Sequence, residues 1–277
     1  MINRVLGWMA RRQLQPLWWT LYRVAIGGLG HMNADPRFNG EERFMRDWAR
    51  ALKARKSGPS LPVLFDVGAN EGDFTAAALA ALGECRIHCF EPNPKTFARL
   101  SLRFTGDDRV ILNNLGLSDR PGTFTLYDYA GSEGSGHASF LSETFTDVYK
   151  SSTQSVEARV STLDAYLAES GVLAVDFLKI DVEGLEKAVL GGGAVAIAAG
   201  RIDVMQMEFN AHNILTGLSI QALSKILPAF DIHRILANGL TPVATPSTAY
   251  NSRVEIFKYA NLALVRRNAA VAADLAS

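Results

Sequence analysis

The chain has 277 residues, 48% of them hydrophobic, with 28 Lys+Arg balanced by 28 Asp+Glu. This length suits one α/β domain of roughly 200 residues with an appendage, and the hydrophobic content excludes global disorder. The zero formal net charge removes the whole-chain electrostatic argument for a nucleic-acid partner, so none is expected.

The first thirty residues contain four arginines, three of the four tryptophans and no acidic residue. Arginines interrupt every window of about 20 apolar residues that a membrane span requires, and no signal-peptide cleavage pattern is present. Leu14, Trp18, Leu21 and Ala25 fall at helical spacing, which predicts a face that lies on a membrane or packs on the main domain or a second subunit. We expect a cytoplasmic protein, and peripheral contact with the inner face of the membrane or a homodimer through residues 1–58 stays open.

Residues 1–58 form a predicted N-terminal helical extension. The segment 41–56 places an apolar stripe at helical spacing, which predicts a helix packed on the main domain; the stripe consists of Phe44, Met45, Trp48, Ala49 and Leu52. Residues 57–60, Ser-Gly-Pro-Ser, are a breaker cluster and mark a boundary. We therefore expect two parts, 1–58 and 59–277.

From residue 61 onward, short apolar runs alternate with helical patterns, which predicts βαβ units and a mostly parallel sheet covered on both faces. The predicted strands of this sheet are 61–67, 86–90, 110–113, 175–180, 202–207, 232–236 and 261–265. Two further β-like runs, 123–127 and 156–160, flank a loop rich in glycine and serine at 131–139. Cys85 and Cys89 would lie roughly 13 Å apart along one strand, too far for a disulfide, so free thiols are expected.

The first motif is Asp-Val-Gly-Ala-Asn-Glu-Gly at residues 66–72, where a strand runs into a turn and then a helix. Ligands of α/β sheets bind at such strand ends. Gly68 permits a tight turn and close approach of a ligand, and Gly72 lets the helix start. The acidic residues of the loop disfavour a diphosphate and favour a ligand with a cationic group and no phosphate.

The second motif places Glu91 at the end of the next strand, 25 residues after Asp66. An acidic side chain at this position accepts hydrogen bonds from both ribose hydroxyls of a nucleoside. Pro94 then suits the first turn of the following helix. Together the two motifs predict a nucleoside-containing cofactor.

The third motif is an apolar strand that ends at Asp181, with Glu183 and Glu186 just beyond it. Glu208 ends the next strand and His212 follows shortly after, so these side chains meet if the strands are neighbours. The carboxylates suit either a general base or ligands of a hard cation such as Mg²⁺, and the sequence leaves both open. Asp181, Glu208 and His212 are the candidate catalytic residues.

These segments together resemble the signatures of FkbM-type methyltransferases, in order over about residues 60–210: 66–72, Phe-Glu-Pro-Asn-Pro at 90–94, Leu-Asp at 163–164 and Lys-Ile-Asp-Val-Glu-Gly at 179–184. Gly-Glu at 40–41 is likewise similar to the segment that precedes the domain in such proteins. The resemblance implies a class I (Rossmann-like) methyltransferase fold with a seven-stranded, mostly parallel sheet whose last strand, 261–265, is antiparallel. It also implies S-adenosylmethionine as the cofactor and methylation of a hydroxyl, often on a sugar of a glycan, a glycolipid or a secondary metabolite.

By the same resemblance, the start of the 66–72 loop holds the methionine part of the cofactor, Glu91 the ribose, and residues 114–117 the adenine, while residues 118–119 close that pocket. The candidate cofactor-binding residues are therefore Asp66, Gly68, Asn70, Gly72, Glu91, Asn114, Leu115 and Ser118. The loop at 131–139 is expected to be a mobile lid over the acceptor, with His137 beside it.

Two other functions stay open at this point. A nicotinamide-dependent oxidoreductase is disfavoured because the glycine spacing of the dinucleotide fingerprint is absent. A non-catalytic membrane-docking or scaffold protein that keeps the cofactor fold is disfavoured by the presence of Glu91 and Asp181. The acceptor, a small molecule or a glycan or glycolipid, is not identified by the sequence.

Overall fold

The computed structural model describes residues 2–31, 35–55, 60–129, 139–140, 153–244 and 254–275. Within these ranges the helices are α1 Ile2–Met9, α2 Gln15–Gly28, α3 Pro36–Asn39, α4 Glu41–Arg55, α5 Asp73–Leu82, α6 Pro94–Arg103, α7 Leu163–Ser170, α8 Glu186–Gly192, α9 Ala194–Ala198, α10 His212–Leu215, α11 Ile220–Ile226 and α12 Ala272–Leu275. The strands are β1 Val63–Val67, β2 Arg86–Phe90, β3 Val110–Asn113, β4 Gly116–Leu117, β5 Gly122–Tyr129, β6 Thr153–Ser161, β7 Val175–Ile180, β8 Ile202–Phe209, β9 Phe230–Leu236, β10 Gly239–Ala244 and β11 Ala260–Arg266.

The central sheet has eight strands in the order β10-β9-β11-β8-β7-β1-β2-β3. Strands β3, β2, β1, β7 and β8 pair in parallel, and β11 is antiparallel to both β8 and β9. This confirms the predicted class I sheet with an antiparallel last strand. The expected count of seven strands is wrong by one, because β10 adds an edge strand in a hairpin with β9. Pro242 obscures this strand in the sequence, since proline is tolerated in a sheet only at an edge or a bulge.

The two additional β-like runs form a separate sheet of order β4-β6-β5. β5 and β6 pair antiparallel from Gly122 opposite Val160 to Tyr129 opposite Thr153. The two-residue strand β4 was not predicted. Most of the loop between β5 and β6, His137 included, lies outside the described residues, so the lid remains a prediction.

Helix α4 packs its apolar stripe on one face of the central sheet, as the sequence predicts. Trp48 is fully buried, and its ring centroid lies 4.8 Å from that of Phe177 on β7. Phe44 packs on the same ring at 5.8 Å. These residues share one core cluster with Leu64 of β1 and Ile87 of β2. Residues 56–59, where a boundary between 1–58 and 59–277 is expected, are outside the described part of the chain, and that division remains a prediction.

The first two helices are placed differently from α4. Ile26 is the buried residue of α2, whereas Leu21 is 48% exposed and Trp18 is half-buried. The chain meets the main domain just after α2, where Arg234 donates to the carbonyl oxygen of Leu29 at 2.9 Å. The alternative that the predicted face of α2 packs on the main domain is therefore wrong. Among the described residues, no helix is long and apolar enough to cross a membrane.

Both cysteines are free and buried, as expected. Cys89 lies in β2 with its sulfur 3.1 Å from the hydroxyl of Thr75, and Cys85 immediately precedes that strand. Burial raises the pKa of Cys85 to about 11, and it also raises the pKa of Cys89. Both thiols are therefore protonated at neutral pH.

Candidate active site

The candidate site lies at the carboxyl edge of the parallel strands. β1 pairs with β2 on one side and with β7 on the other, and β7 pairs with β8. The register places Asp66 beside Lys179 and Lys179 beside Gln206. Because side chains alternate between the two faces of a strand, Asp181 and Glu208, two residues further along, lie on the same face as this row.

The loop after β1 is shaped by backbone conformations that favour glycine. Gly68 has φ +80°, and a β-carbon there would lie 1.8 Å from the carbonyl oxygen of Asp181. Gly72 has φ +84°, and its β-carbon would meet the Phe104 ring at 2.3 Å. Asn70 adopts φ 48° without being glycine, which asparagine tolerates better than most residues. The loop therefore passes close to β7 and α6, and a larger residue at either glycine would displace it.

Glu91 is held at the end of β2 by backbone amides. Its Oε2 accepts the N–H of Asn70 at 3.0 Å, and its Oε1 accepts the N–H of Asn93 at 2.8 Å. The residue is 7% exposed, and burial raises the pKa of its carboxyl to about 7 despite these bonds. Each oxygen keeps a second lone pair, so the carboxylate can accept further bonds from a pair of hydroxyls.

A first cleft opens beside Glu91. Its lining consists of Val67, Gly68, Asn70, Phe90, Glu91, Pro92, Gly116, Leu117, Leu126, Phe140, Asp181, Val182 and Glu183. The apolar side chains of Leu117, Leu126 and Phe140 suit a planar heterocyclic ring, and Glu91 lies at the polar end. Ser139, just before Phe140, is tied to this cleft because its hydroxyl donates to the carbonyl oxygen of Glu183 at 2.8 Å.

Only some of the residues expected to bind adenine line the first cleft. Gly116 and Leu117 line the first cleft. Asn114 instead donates its side-chain amide to the carbonyl oxygen of Glu91 at 2.8 Å, and Leu115 packs against the core. Ser118 is 2% exposed, and its hydroxyl donates to Asp119. Asn114, Leu115 and Ser118 thus do not line the first cleft, and direct contact with a cofactor remains a prediction for each.

A second cleft lies on the other side of the Gly68 loop. Its lining is Asp35, Glu41, Glu42, Met45, Gly68, Ala69, Asn70, Glu71, Asp73, Phe74, Ala77, Lys179, Asp181 and Tyr259. Gly68, Asn70 and Asp181 border both clefts. Acidic side chains dominate the lining, and Lys179 supplies its positive charge. Asp181 therefore lies at the boundary of the two clefts, where ligands bound in each of them would meet.

Lys179 links two of the predicted site residues. Its ammonium nitrogen lies 3.0 Å from Oδ2 of Asp181 and 3.9 Å from Oδ1 of Asp66. Burial lowers the pKa of Lys179, but attraction to Asp181, Asp66 and Glu41 outweighs burial, and the net pKa is raised. Lys179 stands in the quoted motif, yet its role was not predicted, because only the strand register shows that it lies between two carboxylates.

Asp66 is fully buried and does not line either cleft. Its Oδ2 accepts the hydroxyl of Thr75 at 2.7 Å, and burial raises the pKa of its carboxyl. Asp66 thus supports the Gly68 loop from the protein interior through its contacts with Thr75 and Lys179. A role in holding the methionine part of a cofactor would act through the loop that it fixes.

Glu41 enters the second cleft from the N-terminal extension. Its Oε2 accepts Nε2 of Gln206 at 2.7 Å, and its Oε1 accepts Nδ2 of Asn261 at 2.8 Å. Burial raises the pKa of Glu41, with Lys179 opposing that effect. The sequence marked Gly40 and Glu41 as family-like but assigned them no role, because the cleft-side partners Gln206 and Asn261 are more than 160 residues away from Glu41.

The remaining carboxylates near Asp181 are already bonded. Glu183, at φ 50°, lies 2.9 Å from Nδ1 of His212, which is 3% exposed. Glu186 accepts Nδ2 of Asn213 at 2.8 Å, and burial raises its pKa to about 7. Burial and the neighbouring carboxylates raise the pKa of Glu208 well above its ordinary value, and this residue accepts a bond from the Asn210 side chain.

The alternative of a divalent cation is not supported by this arrangement. Over the described ranges, no group of His, Cys, Asp or Glu side chains is arranged to hold a metal ion. Asp181 is bonded to Lys179, Glu183 to His212 and Glu186 to Asn213. These carboxylates are therefore engaged by protein partners, an arrangement that does not favour a cation.

Residues 66–230 match the profile of the family described as the methyltransferase FkbM domain. The chain is 29% identical over 185 residues to the 2-O-methyltransferase NoeI of Sinorhizobium fredii, covering 62% of this chain and 73% of that protein. It is 31% identical to the 31-O-demethyl-FK506 methyltransferase FkbM of Streptomyces tacrolimicus, covering 47% of this chain and 58% of that protein. It is 32% identical to the hexuronic acid methyltransferase AglP of Haloferax volcanii, covering 53% of this chain and 56% of that protein.

Among solved structures, the chain is similar to the methyltransferase FkbM from Methylobacillus flagellatus KT. The sequence identity is 16% and the TM-score 0.45, over 74% of this chain and 43% of that one. The match covers little more than half of the second and third sequence relatives.

Proposed function

The chain belongs to the FkbM family of methyltransferases, and from this premise we propose that it methylates a hydroxyl of a neutral, sugar-containing acceptor with S-adenosylmethionine. The observation that carries the proposal is the position of Asp181, which borders both clefts with a side chain that is 35% exposed. A methyl transfer needs a cofactor site and an acceptor site that meet at one point, with a group there to take a proton.

The first cleft suits the nucleoside half of the cofactor. Glu91 has the free lone pairs to accept two ribose hydroxyls, and Leu117 and Phe140 offer apolar surface to the adenine ring. Gly68 allows close approach of the ligand to the backbone. The acidic surroundings complement the positive charge of the cofactor, which supplies a methyl group that is already activated by its sulfonium.

Asp181 is the proposed general base. Lys179 lies against its Oδ2, so the carboxylate is held in one orientation and its negative charge is stabilised. An acceptor hydroxyl in the second cleft would donate its proton to Asp181 while its oxygen is aligned with the methyl group. Glu208 and His212, proposed as catalytic from the sequence, line neither cleft, and His212 lies against Glu183. A catalytic role for these two residues stays a prediction.

The second cleft favours an uncharged acceptor that is rich in hydroxyls. Glu41, Tyr259 and Asp181 present hydrogen-bonding groups to it, and its lining has six acidic residues against one lysine. A carboxylated sugar would be repelled by these groups, because like charges at close range are unfavourable. Hexuronic acid is the substrate named for one relative, and the charge of this cleft argues against that acceptor here.

The proposal is tested by methyl transfer from radiolabelled S-adenosylmethionine to neutral oligosaccharides and their uronic-acid counterparts. We expect transfer to neutral acceptors, little transfer to uronic acids, and no calorimetric signal with NAD or NADP. Preferential transfer to uronic acids would refute the acceptor class. Tight binding of a nicotinamide cofactor with no binding of S-adenosylmethionine would establish the oxidoreductase alternative instead.

A further inference from the structure

Helices α1 and α2 present a large apolar surface to solvent. We define the N-terminal apolar surface by six exposed aromatic and aliphatic side chains: Trp8 (54% exposed), Leu17 (51%), Trp19 (63%), Tyr22 (41%), Val24 (70%) and Leu29 (49%). The two helices are held together because the indole N–H of Trp18 donates to the carbonyl oxygen of Met9 at 2.6 Å. Large exposed apolar side chains gathered on one pair of helices mark an interaction site.

Helix α2 is apolar around most of its circumference, while Ile26 is its buried residue. A helix with apolar residues on all sides is stable when other apolar material covers it. The 14 residues of α2 extend about 21 Å, which is shorter than the roughly 30 Å hydrocarbon core of a bilayer. This helix can therefore lie in the interface of a membrane but is too short to span the bilayer.

The charge pattern of the N-terminal segment distinguishes a second copy of the chain from a lipid surface as the partner of these helices. Arg11, Arg12 and Arg23 are exposed, and no acidic residue occurs before Asp35. A symmetric dimer through this surface would bring the same arginines of two copies together, with no carboxylate from the first 34 residues to pair them. Tryptophan and tyrosine side chains among arginines are instead the composition of helices that bind anionic lipid surfaces.

The N-terminal apolar surface lies next to the second cleft in the structure. Just after α2, Nδ1 of His31 lies 3.0 Å from the carbonyl oxygen of Lys258, the neighbour of Tyr259 in the second cleft. Asp35, seven residues after the end of α2, also lines that cleft. The N-terminal helices thus attach to the catalytic domain beside the mouth of the proposed acceptor site.

We propose that the N-terminal apolar surface docks this protein on an anionic phospholipid membrane, with its tryptophans at the acyl boundary and its arginines at the headgroups. Docking brings the second cleft to the lipid surface, where an acceptor carried on a lipid would be presented. The docking proposal depends on the exposed apolar side chains and the neighbouring arginines. The presentation of a lipid-linked acceptor to the second cleft rests on the function proposed above.

The test is flotation of the full chain with phosphatidylcholine vesicles that do or do not contain phosphatidylglycerol. We expect flotation with the anionic vesicles and release at high salt. Changing Arg11, Arg12 and Arg23 to Gln should weaken partitioning by about fivefold per charge. Replacing Trp19 and Val24 by Glu should weaken it by roughly tenfold or more, since charges then replace inserted apolar area.

The matched control carries Leu173→Glu and Val195→Glu, which change two large apolar side chains that are 83% and 70% exposed elsewhere on the surface. It should float like the unchanged protein. A chain that stays with the soluble fraction on anionic vesicles overturns the proposal. So does a dimer that becomes a monomer in the Trp19/Val24 variant without any flotation, because the surface would then belong to a second copy.

Calorimetry with S-adenosylmethionine on the same samples separates the two proposals. Cofactor binding without flotation refutes the membrane surface alone. Flotation without cofactor binding refutes the proposed function and leaves the membrane surface standing.

Discussion

The ammonium group of Lys179 lies 3.0 Å from Asp181, and the same nitrogen lies 3.9 Å from Asp66 on the neighbouring strand. One cation therefore joins the buried carboxylate that supports the Gly68 loop to the carboxylate that faces both clefts. This arrangement makes the position of the proposed base depend on the same strand register that shapes the cofactor loop.

Replacing Asp181 by Asn should reduce kcat by ~10²–10⁴ while S-adenosylmethionine affinity stays nearly unchanged, because a proton acceptor is lost and the backbone that shapes the cofactor cleft is kept. Single-turnover kinetics and calorimetry measure the two effects. Asp108→Asn, at an exposed position, is the control and should behave like the unchanged enzyme. Full turnover in the Asp181 variant would rule out this residue as the base.

Glu91→Ala should weaken S-adenosylmethionine binding by ~10–150-fold, the effect of losing about 1.5–3 kcal/mol of charge-assisted hydrogen bonds. Glu84→Ala removes an exposed carboxylate and should leave affinity unchanged. Calorimetry on both variants checks this result. Equal affinities would remove Glu91 from the ribose site.

The pKa of Glu91 also predicts a pH dependence of stability. Burial raises the pKa of this carboxyl to about 7 in the folded, unliganded protein, from an ordinary pKa of 4.5 for a glutamate side chain. The folded state then binds more protons than the unfolded state between those pH values, so the free energy of unfolding falls as pH rises through this window. Urea titrations should show a smaller decrease for Glu91→Gln, and an identical slope in both proteins would contradict this prediction.

Gly68→Ala should abolish cofactor binding, because its β-carbon would lie 1.8 Å from the carbonyl oxygen of Asp181. Gly83→Ala provides a matched control: Gly83 has a similar φ of +76°, but its β-carbon would meet nothing within 4 Å. The control should lose only about 1–3 kcal/mol of stability from backbone strain and still bind the cofactor. If both variants bind the cofactor equally well, the close approach of Gly68 to Asp181 is not required for cofactor binding.

Glu41→Gln should raise the KM for the acceptor and leave cofactor affinity unchanged, since the variant keeps the side-chain shape but alters the charge that faces Lys179 and the bonds to Gln206 and Asn261. Asp47→Asn, on the outer face of the same helix, is the control. Steady-state kinetics with the acceptor varied give the measurement. A change in cofactor affinity alone would place Glu41 in the cofactor site instead.

Trp48→Ala should destabilise the fold by ~3–5 kcal/mol, because the side chain is fully buried against Phe177. Trp19→Ala removes the same side chain at a position that is 63% exposed and should change stability by no more than about 0.5 kcal/mol. Urea unfolding of both variants makes the comparison. Similar losses in the two would mean that α4 and α2 contribute alike to the core.

The sequence alone determined the features that depend on local patterns. Alternating apolar runs and helical periodicity predicted the mostly parallel sheet, since burial on two faces leaves a recognisable pattern in each segment. The antiparallel last strand was an expectation from the family resemblance. Gly68 and Glu91 were identified because a tight turn and an acidic strand end each require a particular residue type at a fixed place. The apolar stripe of α4 was readable for the same reason.

Other features depend on which distant segments meet. Lys179 acquires its role only through the register that places β7 beside β1. Glu41 reaches the second cleft only because α4 packs over the sheet, 165 residues in sequence from its partner Gln206. Likewise, no local signal distinguishes Leu117, which lines the first cleft, from Asn114, which turns to the backbone of Glu91. Side-chain direction and long-range contact are set by packing of the whole chain, so the tertiary structure alone decided them.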